Sequence, residues 1–259
     1  MSEAKIPMNP ATQIIPTAAQ RFMSSAATSE LRLMLDCADA LQWEAWLPLG
    51  LFYGVTTNPL LLENARVACQ VEVLAALTQK ALAYGVREVQ LQTWGATIER
   101  YYQIGIRLAA IDPRVVVKVP ATEIGVAAAV QLIREGVRVT LTGVYAIPQV
   151  LIAAAIHAEY AAPYLGRIHD TGRNGCEDLG AMQRSLDGVG STTRLLVASI
   201  RRVEDIAMLA AQGLNTFTIS TAIATQFFDV PATLQAASAF EAAAERTSEL
   251  AFEGQRSER

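Results

Sequence analysis

Val115-Val116-Val117-Lys118-Val119-Pro120 decides the fold. Four valines around one lysine make a short, continuous run of β-branched residues. That is the pattern of a strand buried on both faces, as in a parallel sheet. A charged amine in such a strand is costly unless it is paired, neutral or at an open end. Lysine is also scarce: Lys5, Lys80 and Lys118 stand against eighteen arginines. Arginine would serve for charge alone but supplies no nucleophilic amine. A desolvated lysine has a lowered pKa and attacks carbonyls to form a Schiff base. The local sequence fits equally a lysine at a strand end that snorkels or pairs with a carboxylate.

Working outward, apolar runs predict seven further strands, over residues 31–37, 51–57, 88–93, 137–142, 158–163, 194–199 and 216–220. Helical spacing fills the intervals: 38–47, 60–83 with an interruption near 63–66, 97–110, 122–135, 148–157, 177–186, 203–212, 222–228 and 232–250. Thr97 and Thr122 are placed as helix N-caps, Pro59 and Pro148 in first turns, and Gly136 and Gly213 as helix stops. Residues 1–30, rich in Ala, Thr, Ser and Pro, read as a poorly ordered leader with a short helix near 18–23. A doubly wound sheet is the alternative, but no GxGxxG follows the first strand. Eight similar units in 259 residues suit a closed barrel better. The expected fold is a single (β/α)8 TIM barrel over residues 31–259, including a C-terminal helix, behind an N-terminal extension of residues 1–30.

Composition narrows the function classes. A 52% hydrophobic chain with 18% charged residues has a large core, and a net charge of −4 offers no basic field for nucleic acid. No apolar run reaches the roughly 18 residues that span a membrane. Residues 1–30 lack the basic start and apolar core of a secretory signal. Cys37, Cys69 and Cys176 are odd in number and lack CxxC spacing, which argues for a reducing, cytoplasmic setting. His157 and His169 are the only histidines, which argues against a Ser-His-Asp or multi-histidine metal site and leaves a carboxylate-based metal site open.

In a barrel the chemistry sits at the C-terminal ends of the strands. Polar residues gather there: Asp36, Thr56-Thr57-Asn58, Gln90, Gln92, Lys118, Thr140, Thr142, Ser199 and Ser220-Thr221. Any one of them alone is explained as a strand-end cap. Most strands offering polar groups to one rim, around one lysine, point to a site.

These residues also carry a resemblance. Leu33-Met34-Leu35-Asp36, Gly54-Val55-Thr56-Thr57-Asn58-Pro59 and Val116-Val117-Lys118-Val119-Pro120-Ala121-Thr122-Glu123-Ile124-Gly125 resemble the transaldolase family. Thr140-Leu141-Thr142-Gly143-Val144-Tyr145, the run Glu159 to Ile168, and Val197-Ala198-Ser199 match further, in unbroken order from about Leu31 to Phe240. The chain looks closest to the short fructose-6-phosphate aldolase branch. Gln92 stands where transaldolases usually carry glutamate, and Tyr164 where they usually carry phenylalanine. The leader and the longer loop 171–178 depart from that branch.

The resemblance implies a class I aldolase that needs no cofactor and no metal. It would cleave or form fructose 6-phosphate from dihydroxyacetone and glyceraldehyde 3-phosphate. Its partners would be sugar phosphates or dihydroxyacetone, and it would assemble as a ring-like homo-oligomer, a pentamer or decamer; the alanine-rich helix over 232–250 suggests an intersubunit contact. In this reading Lys118 forms the Schiff base and Asp36 moves the proton of the C4 hydroxyl. Asp36 alternatively caps the helix from residue 38. Gln92, Thr142 and Tyr164 hold a water, with Gln90 as a substitute on the face of Gln92. Asn58, Thr57 and Ser199 bind the donor, although Thr56 and Thr57 also suit a plain turn. Arg167 binds phosphate, or else forms a rim salt bridge; Arg201 and Arg202 could assist it, but consecutive arginines more often read as a solvated helix start. The alternatives are a transaldolase of the pentose phosphate pathway, a non-catalytic sugar-phosphate-binding barrel, and a metal-dependent aldolase, which two histidines supply poorly.

Overall fold

The structure, a computed structural model, describes residues 30–256, with side chains described as far as Thr247. The chain divides into two units, Met1–Leu31 and Arg32–Arg259. The leader and its expected helix near 18–23 lie outside the described residues. In the second unit eight parallel strands close into a barrel in sequence order: β1 Arg32–Asp36, β2 Gly54–Thr56, β3 Glu88–Gln92, β4 Val115–Pro120, β5 Val139–Val144, β6 Tyr160–Pro163, β7 Arg194–Val197 and β8 Thr216–Ile219. The expected TIM barrel is the observed one.

The helices are α1 Ala40–Trp46, α2 Pro59–Asn64, α3 Val71–Ala83, α4 Ile98–Ala109, α5 Glu123–Arg134, α6 Pro148–Ala155, α7 Leu165–Asp170, α8 Gly175–Gly188, α9 Val203–Ala210, α10 Thr221–Gln226 and α11 Pro231–Arg256. The predicted caps are real: Thr97 accepts from Arg100 N, and Thr122 from Gly125 N. Pro59 and Pro148 open their helices. The span 60–83 is two helices, α2 and α3, separated over residues 65–70. The sequence reading missed α7, a six-residue helix that docks by Leu165 and Ile168, both fully buried. It also placed a loop where α8 already begins at Gly175. Short helices carry little periodic signal, because one or two turns hold too few apolar positions to show a stripe.

Period-two alternation sorts every strand into two faces. Val115, Val117, Val119, Leu141, Val139 and their counterparts belong to one large core with the helices. Met34, Val116, Tyr160, Ala162 and Leu196 form a second cluster, in the barrel interior. Each valine, leucine or methionine among them contributes about 1.5–3 kcal/mol when taken from water. The rest of the interior is polar. At the N-terminal end, buried Glu88 lies 2.5 Å from the Arg138 guanidinium, which is also 2.6 Å from Glu159. Tyr160 donates to Glu88, and Arg32 donates to Tyr160. Gly54 leaves room for this layer: a Cβ there would lie 2.4 Å from Glu88 O.

Candidate active site

Lys118 projects inward from β4, with Gln92 of β3 and Thr140 of β5 as its register neighbours. Its side chain is buried, with the residue 3% exposed, and Nζ donates to Thr57 O at 2.9 Å. Burial pushes the amine below its ordinary pKa of 10.5, while the nearby Asp36 charge opposes that shift. Burial thus favours the neutral form, whose lone pair is the nucleophile, and a backbone carbonyl holds the amine in place.

Asp36 ends β1. It does not cap the next helix; Asp39 does, accepting from Leu41 N. The Asp36 Oδ1 accepts instead from the Thr56 hydroxyl at 2.6 Å, and Thr56 lies 2.5 Å from the Thr218 hydroxyl of β8. Both threonines are buried. Sequence reasoning treated Thr56 as turn-forming and passed over Thr218; alternation along β8 could have placed Thr216 and Thr218 inside the barrel.

A cavity of ≈ 460 Å³ opens above these groups and brings together Asp36, Asn58, Gln92, Lys118, Tyr164, Arg167 and Ser199. Seven of the nine expected site residues therefore share one wall. Thr142 lies just behind it, its hydroxyl 2.7 Å from the Tyr164 hydroxyl. Burial pushes the Tyr164 phenol above its ordinary pKa, so it stays a proton donor. Thr57 departs from expectation: it is buried, its hydroxyl turns to Gln90 O, and its carbonyl holds Lys118. Gln90 departs too, being locked between Glu88 and Thr140 below the cavity. Asn58 reaches the cavity with half its amide: Oδ1 caps α2 by accepting from Leu60 N and Leu61 N, which leaves the NH2 to donate. Leu60, Leu61 and Asn64 complete the mouth and carry no sequence signal as site residues.

The Arg167 side of the cavity is built by α7. Leu165 N donates to Ala198 O, and Gly166 N to Ser199 O, both at 2.9 Å, so the helix is pinned to the end of β7. Position 166 must be glycine, since a Cβ would lie 2.5 Å from Ser199 O. Ser199 adopts the left-handed region with φ 57°. The Arg167 guanidinium lies 5.1 Å from the Tyr164 ring centroid and donates to the Tyr145 hydroxyl at 3.1 Å. Its alternative, a rim salt bridge, is not seen: among the described residues no carboxylate pairs with Arg167. Arg201 pairs with Asp170 and Arg202 with Glu204, both on the surface.

Comparison with known proteins gives this arrangement its relatives. Residues 33–257 match the family model described as transaldolase/fructose-6-phosphate aldolase. A probable transaldolase of Thermus thermophilus is 32% identical, covering 78% of this chain and 93% of that protein. A probable transaldolase of a Caulobacter species is also 32% identical, covering 78% of this chain and 91% of its own. Among solved structures, thiamine phosphate pyrophosphorylase from Pyrococcus furiosus superposes with a TM-score of 0.54 at 12% identity, covering 76% of this chain and 88% of that one; the likeness is of fold alone. The barrel and its relatives define an enzyme of the aldolase and transaldolase class. The chain belongs to the transaldolase/fructose-6-phosphate aldolase family, in its short-form branch.

Proposed function

We propose that the protein is a class I aldolase that cleaves and forms fructose 6-phosphate, with dihydroxyacetone and glyceraldehyde 3-phosphate as the two halves. The observation that carries this reading is the buried amine of Lys118 in one cavity with Asp36 and a hydroxylated Tyr164. Lys118 attacks the C2 ketone, and loss of water leaves a protonated imine. Asp36 takes the C4 hydroxyl proton, the C3–C4 bond breaks, and its electron pair moves into the imine to give an enamine. Glyceraldehyde 3-phosphate leaves. The enamine carbon is then protonated, and water releases dihydroxyacetone and the free amine. Tyr164, Thr142 and Gln92 hold the water that serves these proton transfers. The Asn58 amide and Ser199 hydroxyl bind donor hydroxyls, and Arg167 binds the phosphate as a charged fork.

Product analysis tests this. Fructose 6-phosphate alone is expected to give sustained release of both fragments, and borohydride to trap an adduct on Lys118. A second reading is supported by the names of the relatives: a transaldolase passes the same enamine to an acceptor such as erythrose 4-phosphate. Absence of release until that acceptor is added would establish transfer.

We further infer a cytoplasmic homo-oligomer. The three cysteines are free, and among the described residues no helix is long and apolar enough to cross a membrane. Helix α11 leaves Leu234 and Phe240 59% and 71% exposed, apolar surface suited to contact with a second copy of the chain.

A further inference from the structure

We propose that Tyr145, anchored by Arg173, fixes the guanidinium of Arg167 and thereby sets the preference of the site for a phosphorylated aldehyde over an unphosphorylated one. The inference rests on the reading of Arg167 as the phosphate-binding group.

Tyr145 is clamped along its whole length. It follows the bulge between Thr142 and Val144 that ends β5. Its backbone N and that of Ala146 both donate to Gln149 Oε1, at 2.8 and 2.9 Å. Its carbonyl accepts from Arg173 Nη1 at 2.7 Å. Arg173 comes from the turn between α7 and α8, the segment where the sequence departs from the short branch, and pairs with Asp178 at 2.7 Å. The Tyr145 ring stands edge-on to the Tyr164 ring, with centroids 5.6 Å apart. Its hydroxyl accepts from Arg167 Nη1.

The choice of a phenol as partner has a consequence. Arg201, two residues beyond Ser199, gives its charge to Asp170 in a two-pronged pair. Arg167 meets a neutral oxygen on one side and an aromatic face on the other. It is oriented without being neutralised, so its full charge and remaining N–H groups stay available to a phosphate dianion. A free arginine side chain loses rotamer freedom on binding; one already held loses less, and the difference appears as affinity. Tyr145 is a positioning residue, since it acts through Arg167.

The test is aldol addition of dihydroxyacetone to glyceraldehyde 3-phosphate and to glyceraldehyde, with kcat and KM measured for each. Tyr145→Phe keeps both rings and removes the hydroxyl. The ratio of kcat/KM for the phosphorylated over the plain aldehyde is expected to fall roughly two- to tenfold, through KM for the phosphorylated substrate. Arg173→Ala should shift the ratio in the same direction by less, and carries the test if the phenylalanine variant does not fold. In an Arg167→Leu background Tyr145→Phe should cause no further fall. An unchanged ratio in Tyr145→Phe, or an equal fall with Arg167 absent, overturns the proposal and leaves the phosphate reading standing. If Arg167→Leu itself leaves the ratio unchanged, the phosphate reading fails and this inference falls with it.

Discussion

The Thr56 hydroxyl donates to Oδ1 of Asp36 across 2.6 Å, the two residues being register partners on β2 and β1. Its single proton is thus committed, so Thr56 accepts from Thr218 on the other flank of β1. One carboxylate oxygen is held as an acceptor, and Oδ2 is left for the substrate. Asp36→Asn should lower turnover by about 10²–10⁴ while borohydride still labels Lys118. Thr56→Val should lower it roughly tenfold. Turnover of Thr56→Val at the wild-type rate would remove the threonine from any part in proton transfer.

Lys118→Met should cut turnover to less than about one per cent, because loss of a covalent nucleophile costs orders of magnitude. It should also raise stability. A lysine whose pKa is lowered on folding binds its proton more weakly in the native chain. Between the lowered value and the ordinary 10.5 the unfolded chain holds more protons, so wild-type stability rises with pH in that window. Below the window the cost of the buried charge is present in full. The melting temperature of Lys118→Met should therefore exceed the wild type most at pH below that window, and the gap should close as pH approaches 10.5. A gap that widens with pH would contradict a desolvated amine.

Tyr164→Phe should shift the balance from free cleavage toward transfer. The phenol and Thr142 hold a donor beside the cavity, and without it the enamine waits longer for its proton. The measurement is dihydroxyacetone released against acceptor consumed when both fates are open, with trapping on Lys118 as the control. An unchanged partition would dissociate the hydroxyl from enamine protonation.

Glu88 supplies a test of stability apart from chemistry. Glu88→Ala removes the acceptor of the Tyr160 and Gln90 hydrogen bonds and one of the two carboxylates on Arg138, while Glu159 still holds the guanidinium, and should lower denaturant stability by about 1–3 kcal/mol. A change below roughly 1 kcal/mol would mean that solvent reaches the layer.

Removal of α11 from Pro231 onward should reduce the assembly mass seen by light scattering if its exposed apolar residues hold a second copy. An unchanged mass would assign the interface elsewhere.

The sequence by itself determined the eight strands and the amine at their centre. Runs such as Val115-Val116-Val117 encode burial on both faces locally, and Thr97, Thr122 and Pro59 encode helix starts through their own hydrogen bonding and fixed φ. Period two also told which side chains share a face, so the shared inward face of Gln92 and Lys118, which both line the cavity, was legible. What it could not tell was which faces meet. Thr218 reaches Asp36's partner Thr56 from 162 residues away, because barrel closure makes β8 the neighbour of β1. Thr57 was expected in the site, and the sharp turn before α2 points its hydroxyl to Gln90 and its carbonyl to Lys118 instead. Gln90 has the parity of Gln92 but lies one layer deeper, where Glu88 and Thr140 occupy it. Helix α7, which carries Arg167, is fixed by contacts to Ala198 and Ser199 rather than by its own six residues. Local sequence sets conformation and face because those depend on near neighbours along the chain. Depth in the barrel, and the identity of the partner across it, depend on how eight strands close, and only the tertiary structure decides that.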